Sequence, residues 1–376
     1  MARYNDTYGS SFGGRSSDVG AAWWVRLLYI LLFLASVGAA LALIIAYLTP
    51  YISPSTFGSL TIVGIFFPIL YVVVLMLMML WLVLRRWIMT AILAVVLVPG
   101  LFTISDFYKI SLFRDKELPK DRAAFTLMTY NVHGFADMEF TSCVDDFIAY
   151  FERDRRPDIV CFQEYLRSTE GVERIDSLFA DYNKHETEEY LDLKLVTYSR
   201  YPIIRTGSIK KHGTTQWCDV VINKRDTLRV INNHLYSMSI SDDEQSDIDA
   251  GRILADGERM ATIVHRIADN SALRALHVDT VRQVIAATPY PHIVCGDFND
   301  TPMSYVYRRI SENLSDAFVE QGSGYGYTFR PMRSLLRIDY ILYTDDVECR
   351  SYTADMECNL SDHLPLMVNM KLKKQL

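Results

Sequence analysis

Apolar positions are arranged in two different ways along the 376 residues. Near the front they run together. Leu27 to Thr49 is a stretch of 23 residues without a charge, Phe57 to Leu84 a second that stops at Arg85-Arg86, and Trp87 to Ser105 a third that stops at Asp106. From Phe125 onward they come in short runs broken by polar and turn residues. The long runs predict three helices that cross a bilayer. At about 1.5 Å per helical residue the first covers roughly 34 Å, against a hydrocarbon core of about 30 Å. None of the runs shows the polar face that a helix on a soluble core presents to water. Pro99-Gly100 interrupts the third. A cleaved signal peptide fits poorly, because a polar tail precedes the first run and further runs follow it.

Basic residues flanking the runs set an expected orientation. Arg3, Arg15, Arg26, Arg85 and Arg86 favour a cytoplasmic N-terminus. Lys109, Arg114, Lys116, Lys120 and Arg122 oppose it, diluted by Asp115, Glu117 and Asp121. With three spans the C-terminal part then lies on the extracytoplasmic side of an integral, multi-pass membrane protein. The expected organisation is a polar tail over 1–20, a membrane region over 21–105, a juxtamembrane linker over 106–123 and a large domain over 124–376.

That domain alternates strand-like and helical segments, which places it in the mixed α+β class. Phe125 to Tyr130, Ile159 to Phe162, Leu193 to Tyr198, Cys218 to Asn223, Leu228 to Asn232, His292 to Cys295, Ile338 to Tyr343 and Leu366 to Met370 read as strands. Cys143 to Phe151 reads as an amphipathic helix ended by Pro157, and Ile253 to about Ile285 as helical. The acidic stretch Ser239 to Asp249 reads as a solvated surface lid. Cys161 and Cys295 sit in apolar strands as buried thiols, whereas Cys349 and Cys358 could pair in an exported domain.

Polar groups recur where the apolar strands end: Asn131, Gln163-Glu164, His234, and Asp297 with Asn299. Arg337-Ile338-Asp339-Tyr340 and Ser361-Asp362-His363 stand beside the last two strands. One such residue alone is usually a turn former or a helix cap. Together they form a coherent chemical set, since strand ends present side chains to a common cleft. Hard oxygen ligands suit Mg²⁺, with histidines and the Asp-x-Asn pair left for a phosphate and an attacking water. There is no HExxH and no paired CxxC for zinc, and over 124–376 no G-x-S-x-G elbow for a serine nucleophile.

The ordered series Thr129-Tyr130-Asn131-Val132-His133-Gly134, Gln163-Glu164, Ser199-Arg200-Tyr201-Pro202-Ile203, Asn233-His234-Leu235, Gly296-Asp297-Phe298-Asn299-Asp300, Arg337-Ile338-Asp339-Tyr340 and Ser361-Asp362-His363 resembles the endonuclease/exonuclease/phosphatase superfamily. The resemblance implies a four-layer sandwich of two packed β-sheets flanked by helices, and a metal-dependent hydrolase of phosphate esters. Glu164 would be the principal Mg²⁺ ligand, with Asn131 beside it, Asp362 completing the site, and Mn²⁺ as an alternative ion. Asp297 would orient or deprotonate water, and Asn299 would hold a phosphate oxygen. His363, held by Asp339, would stabilise the developing charge, and His234 would be a second phosphate donor. A histidine at that position resembles the deoxyribonuclease and sphingomyelinase branches.

His133 reads as a loop hydrogen-bonding residue. Tyr165, Tyr325 and Tyr327 either line a pocket or pack, and His185, His212, His265, His277 and His292 have no motif around them. Charge bears on the substrate. From Phe107 to Leu376 there are 33 basic and 42 acidic residues. That balance disfavours wholesale binding of nucleic acid, which draws its affinity from basic residues facing phosphates. The expected substrate is therefore a lipid headgroup or small phosphate ester reached from the bilayer. The alternatives are an extracytoplasmic nuclease and a catalytically silent binding module. Oligomeric state is not legible from the sequence.

Overall fold

The computed structural model describes residues 18–110, 121, 123–153, 156–166, 171–187, 194–210, 213–223, 226–239, 242–250, 252 and 256–373. Residues 1–17, His212 and the basic positions Arg114, Lys116, Lys120 and Arg122 lie outside them.

The front of the chain is helical: α1 (Asp18–Leu48), α2 (Pro54–Phe57), α3 (Leu60–Ile65), α4 (Phe67–Val83), α5 (Trp87–Leu97) and α6 (Gly100–Thr103). Two stretches, Trp23–Tyr51 and Trp87–Asp106, are long and apolar enough to cross a membrane. The second expected span departs from a single helix. It is divided into α2, α3 and α4, leaving only the 17 residues of Phe67–Val83 as its apolar helix. Phe66 leaves helical geometry at the junction, and Pro68, which lacks an amide hydrogen, sits in the first turn of α4. Large side chains such as Leu28, Val83, Ile88 and Phe102 are exposed on these helices.

Beyond them, the described residues form fourteen strands. A two-stranded ribbon pairs β1 (Tyr108–Lys109) with β11 (Gly324–Tyr325). The first large sheet contains β2 (Ala124–Asn131), β3 (Ile159–Gln163), β4 (Asn183–Glu186), β5 (Val196–Ser199), β13 (Val347–Ala354) and β14 (Leu366–Leu372), in the order β13-β14-β2-β3-β5-β4. The second contains β6 (Ile203–Lys210), β7 (Gly213–Val221), β8 (Thr227–Leu235), β9 (His292–Asp297), β10 (Ser315–Asp316) and β12 (Asp339–Tyr343), in the order β10-β12-β9-β8-β7-β6. Each sheet has one parallel pair at its centre, β2 with β3 and β8 with β9, and antiparallel neighbours elsewhere.

Among the described residues seven further helices follow: α7 (Val144–Arg153), α8 (Val172–Leu178), α9 (Asp242–Asp249), α10 (Gly257–Ala286), α11 (Tyr305–Ser311), α12 (Ala317–Gln321) and α13 (Pro331–Ser334). One apolar core lies between the sheets, from Leu127, Cys161 and Leu366 on one to Cys218, Val230 and Ile341 on the other. A second covers the outer face of the first sheet with Phe147 and Phe151 of α7 and Ile175 of α8. The third packs Val278 and Val281 of α10 and Val306 of α11 against Ile231 and Val294 of the second sheet. The layers are thus helix, sheet, sheet, helix, the α+β arrangement expected.

The acidic stretch is not a loop. Asp242–Asp249 forms α9 and is tied to α10 by Arg266 on Glu244 at 2.8 Å and by Arg259 on Asp247. Arg252 also meets Asp247 at 2.7 Å, and the two arginines of α10 lie 12 and 22 positions beyond their partners, so a local reading of a solvated lid misses them. All six cysteines are free and buried, Cys349 and Cys358 included.

Candidate active site

Both central parallel pairs end at the same place. Asn131 closes β2 in register with Gln163 of β3, and His234 of β8 is in register with Asp297, which closes β9. Asp339 opens β12 opposite Asp297, and His363 precedes β14. The two sheets therefore deliver their polar strand ends into one cleft, each side chain carried on a rigid element.

The groups are close. Asn131 Nδ2 donates to Glu164 Oε1 at 2.9 Å and to Asp297 Oδ2 at 3.1 Å. His234 Nε2 lies 3.3 Å from Glu164 Oε1 and 3.8 Å from Asp297 Oδ2. Asn299 donates its backbone amide to Asp297 Oδ1 at 2.8 Å and its side-chain amide to Asp297 Oδ2 and to the Leu235 carbonyl. His363 has Nδ1 on Asp339 Oδ2 at 2.9 Å and Nε2 3.8 Å from Asp297 Oδ2. Ligand atoms of Glu164, His234 and Asp297 all fall within 4.8 Å of one another, as do those of Asp297, Asp339 and His363.

Local backbone geometry serves this convergence. Glu164 and Asn299 both have positive φ, 52° and 51°. Such a conformation costs about 1–3 kcal/mol at a non-glycine residue and persists only where the surroundings impose it. Gly296 has φ 116°, and a Cβ there would lie 2.1 Å from the Asn233 carbonyl oxygen. Only glycine lets β9 pass β8 this closely just before Asp297.

Charge is distributed unevenly. Burial disfavours ionised Glu164, but His234 and Asn131 outweigh it and hold the carboxyl down to about 2. Burial pushes Asp297 up to about 6, helped by the neighbouring Asp339 and opposed by His363 and His234. Burial also works against a charged His363, yet Asp339, Asp362 and Asp297 together raise it well above the ordinary imidazole range. His234 is raised in the same way, its burial outweighed by Glu164. The cleft thus holds one firmly ionised carboxylate, one poised near neutrality, and an imidazolium backed by Asp339.

The expected residues are brought together with one exception. Asp362 Oδ1 lies 3.1 Å from Ser361 Oγ and 3.9 Å from His133 Nδ1, and it belongs to neither cluster of ligand atoms. His133 uses its backbone amide, which donates to Asn131 Oδ1. Tyr165 packs: it is buried, and its hydroxyl donates to Asp176 at 2.7 Å. His277 is buried against Thr215, and His292 against the Tyr290 carbonyl.

Several supporting residues escaped the sequence reading. Thr328 Oγ1 accepts from the amides of Ile338 and Asp339, both at 3.0 Å, which fixes the start of β12. The Phe329 ring lies 4.9 Å from that of His363, and the two residues form a β-bridge. Ser361, which the sequence marks within Ser361-Asp362-His363, donates Oγ–H to the Asn131 carbonyl and links the two ends of the site. A weak signal existed in Gly-Tyr-Thr-Phe, where only the tyrosines drew notice.

The donor set fits a divalent cation of the hard class. It offers a firmly ionised glutamate and a second carboxylate, with buried His234 Nε2 facing inward and making no aligned hydrogen bond, while Asn131 turns its amide nitrogen to those carboxylates and its oxygen to the His133 amide.

The model of the Endonuclease/Exonuclease/phosphatase family matches residues 128–363, and the chain belongs to that family. Its members are metal-dependent phosphoester hydrolases, and the chain is an enzyme of that type. Residues 28–107 match a domain of unknown function. No curated protein matches. Among solved structures, the human Nocturnin catalytic domain with bound sulfate anion is 17% identical with a TM-score of 0.47, covering 68% of this chain and 96% of its own. An endonuclease/exonuclease/phosphatase from Bacteroides vulgatus is 16% identical with a TM-score of 0.47, over 67% and 100% of the two chains. Another from Beutenbergia cavernae is 16% identical with a TM-score of 0.48, over 67% and 72%.

Proposed function

We propose that the protein is a membrane-anchored, Mg²⁺-dependent phosphoesterase that hydrolyses a phosphodiester or phosphomonoester, with a lipid headgroup or small phosphate ester as substrate, by direct attack of water. The observation that carries this reading is the convergence of Glu164, His234 and Asp297 within 4.8 Å at the joined ends of two sheets. Glu164 would hold the ion, with Asn131 beside it, and the bound ion would supply charge neutralisation at the phosphate. Mn²⁺ would serve the same oxygen ligands. Asp362, turned toward Ser361 and His133, is left out of the ligand set and contributes its charge to His363.

Asp297, with a carboxyl near neutrality, orients the attacking water and accepts its proton. Asn299 is placed beside it to bind a phosphate oxygen. His363 gives Nδ1–H to Asp339 and presents Nε2–H to the developing negative charge, and His234 supplies a second donor. Anchoring is supported by the two long apolar stretches and by their exposed side chains, which bilayer contact would cover. The acidic balance beyond Phe107, 33 basic against 42 acidic residues, favours a lipid or small ester over nucleic acid. With Phe67–Val83 as a third crossing between the two long stretches, the basic residues before the first would put the domain over 124–376 outside the cytoplasm.

The test uses the full chain in detergent micelles, with Mg²⁺ or EDTA, on bis-p-nitrophenyl phosphate, DNA, a phosphoinositide and sphingomyelin, beside His363→Ala. Metal-dependent turnover of an ester or lipid that the variant loses is the expected result. Salt-sensitive cleavage of DNA alone would overturn the substrate assignment in favour of a nuclease. Absence of both turnover and Mg²⁺ binding by calorimetry would leave a silent binding module.

A further inference from the structure

The apolar helices do not hang from the large domain by a simple tether. The Thr49 hydroxyl, at the end of α1, lies 2.7 Å from the carbonyl oxygen of Met303 and 2.8 Å from that of Ala46, and the site is buried. Met303 stands four residues after Asn299, in a turn where Asp300, Thr301 and Ser304 are also buried. Gly64 of α3 closes on the same point. A Cβ at Gly64 would lie 2.5 Å from the Met303 oxygen and 2.7 Å from Thr49 Oγ1.

The other end of the apolar region meets the opposite side of the site. Arg337, two residues before Asp339, donates through Nη1 to the carbonyl oxygen of Asp106 at 2.7 Å. The Phe107 carbonyl accepts from Gly326, and β1 continues that contact as a ribbon with β11. Between the two ties, Ile65 of α3 packs into one apolar cluster with Met238, Leu336, Ile338 and Phe329. Phe329 is the ring that lies against His363.

We infer that the N-terminal apolar region is a working part of the catalytic unit, with Thr49 as a positioning residue. It holds the Asp300–Ser304 turn, and through it Asp297 and Asn299, in their reactive placement. Anchors of other kinds need only a linker, and a linker would leave the Met303 carbonyl to solvent. Here a buried hydroxyl satisfies that carbonyl, and a glycine makes room for it. The turn has independent support on its inner side, where Arg274 of α10 is fully buried with Nε 3.4 Å from Asp300 Oδ2. Thr49 and Arg274 therefore grip the turn from two directions, and removing one grip should loosen it without dissolving the domain. The inference rests on the proposed roles of Asp297 and Asn299, which His363→Ala and EDTA test separately.

The experiment compares full-length wild type, Thr49→Val and Thr49→Ser in lipid nanodiscs, using amide hydrogen exchange and steady-state kinetics. In Thr49→Val, exchange across residues 299–304 should rise several-fold while β3 keeps its protection. Its kcat should fall about tenfold with KM within a factor of two, since small misplacements of reacting groups act on kcat. Thr49→Ser, which keeps the hydroxyl, should restore both readouts. Unchanged exchange in the turn would overturn the inference, as would a loosened turn with wild-type kcat. A rise in exchange throughout the domain would show a general folding role and overturn it too. A wild-type protein without turnover would sink the functional reading instead, and the exchange data would still decide whether Thr49 holds the turn.

Discussion

Asp339 Oδ2 sits 2.9 Å from Nδ1 of His363, and both side chains are almost wholly buried. That contact fixes the ring so that Nε2 faces the cleft, and it stabilises the charged ring against its own burial. Asp339→Asn should lower kcat by about 10²-fold and His363→Ala by about 10³-fold, within the usual range for a positioned acid–base group. The check is kcat for each variant on bis-p-nitrophenyl phosphate. Because the two residues act as one unit, the double variant should be little worse than His363→Ala alone. Additive losses would show that Asp339 acts independently of the ring.

Glu164 is held ionised in the cleft by His234 and Asn131 despite its burial. Chelation with EDTA should abolish turnover, and Mg²⁺ should restore it. In Glu164→Gln the Mg²⁺ concentration needed for half-maximal activity should rise about 10²-fold. Asp362→Asn should leave that concentration within a few-fold of wild type, since its carboxylate is turned away toward Ser361. A metal titration of activity in the three proteins separates the two positions. An equal shift in both variants would return Asp362 to the ligand set.

How much of this was legible in the sequence depends on the range of the interaction concerned. Asn131, Glu164, His234 and Asp297 were visible because a polar residue ending an apolar strand carries its own signal, and four such ends imply a shared cleft. The α+β class and most strands followed from the same runs. The second apolar run is continuous in sequence but divided in the fold, with Phe67–Val83 as its apolar helix and Pro68 in that helix's first turn. The helix Asp242–Asp249 was hidden because its partners, Arg259 and Arg266, lie on α10. Thr328 and Phe329 reach Asp339 and His363 only through tertiary pairing, so no local pattern marks them.

Gly296 illustrates a position where the backbone alone decides the residue. Gly296→Ala would force a Cβ to 2.1 Å from the Asn233 carbonyl and place a side chain at φ 116°. The expected loss of stability is about 3 kcal/mol, and the shift of Asp297 should reduce kcat as well. Thermal unfolding of the full chain in one detergent, with and without the substitution, measures the first effect. A variant as stable as wild type would mean that the two strands can separate without penalty.

Asp176 offers a test of stability against pH away from the cleft. Its carboxylate accepts from the Tyr165 hydroxyl at 2.7 Å, from the Tyr198 hydroxyl, and from Lys184 at 3.0 Å. Partial burial works to raise it, but the two hydroxyls and the ammonium outweigh burial and lower it below the ordinary aspartate value. A carboxylate lowered on folding adds stability that is fully present above its unfolded pKa, about 3.9, and disappears as pH falls through the folded value. Asp176→Ala should therefore cost about 2 kcal/mol at pH 7, chiefly through the two tyrosine hydroxyls left without it. The gap in unfolding temperature between wild type and variant should stay constant from pH 7 to pH 5 and narrow below pH 4. A gap that widened on acidification would mean that the protonated carboxyl is the form these tyrosines prefer.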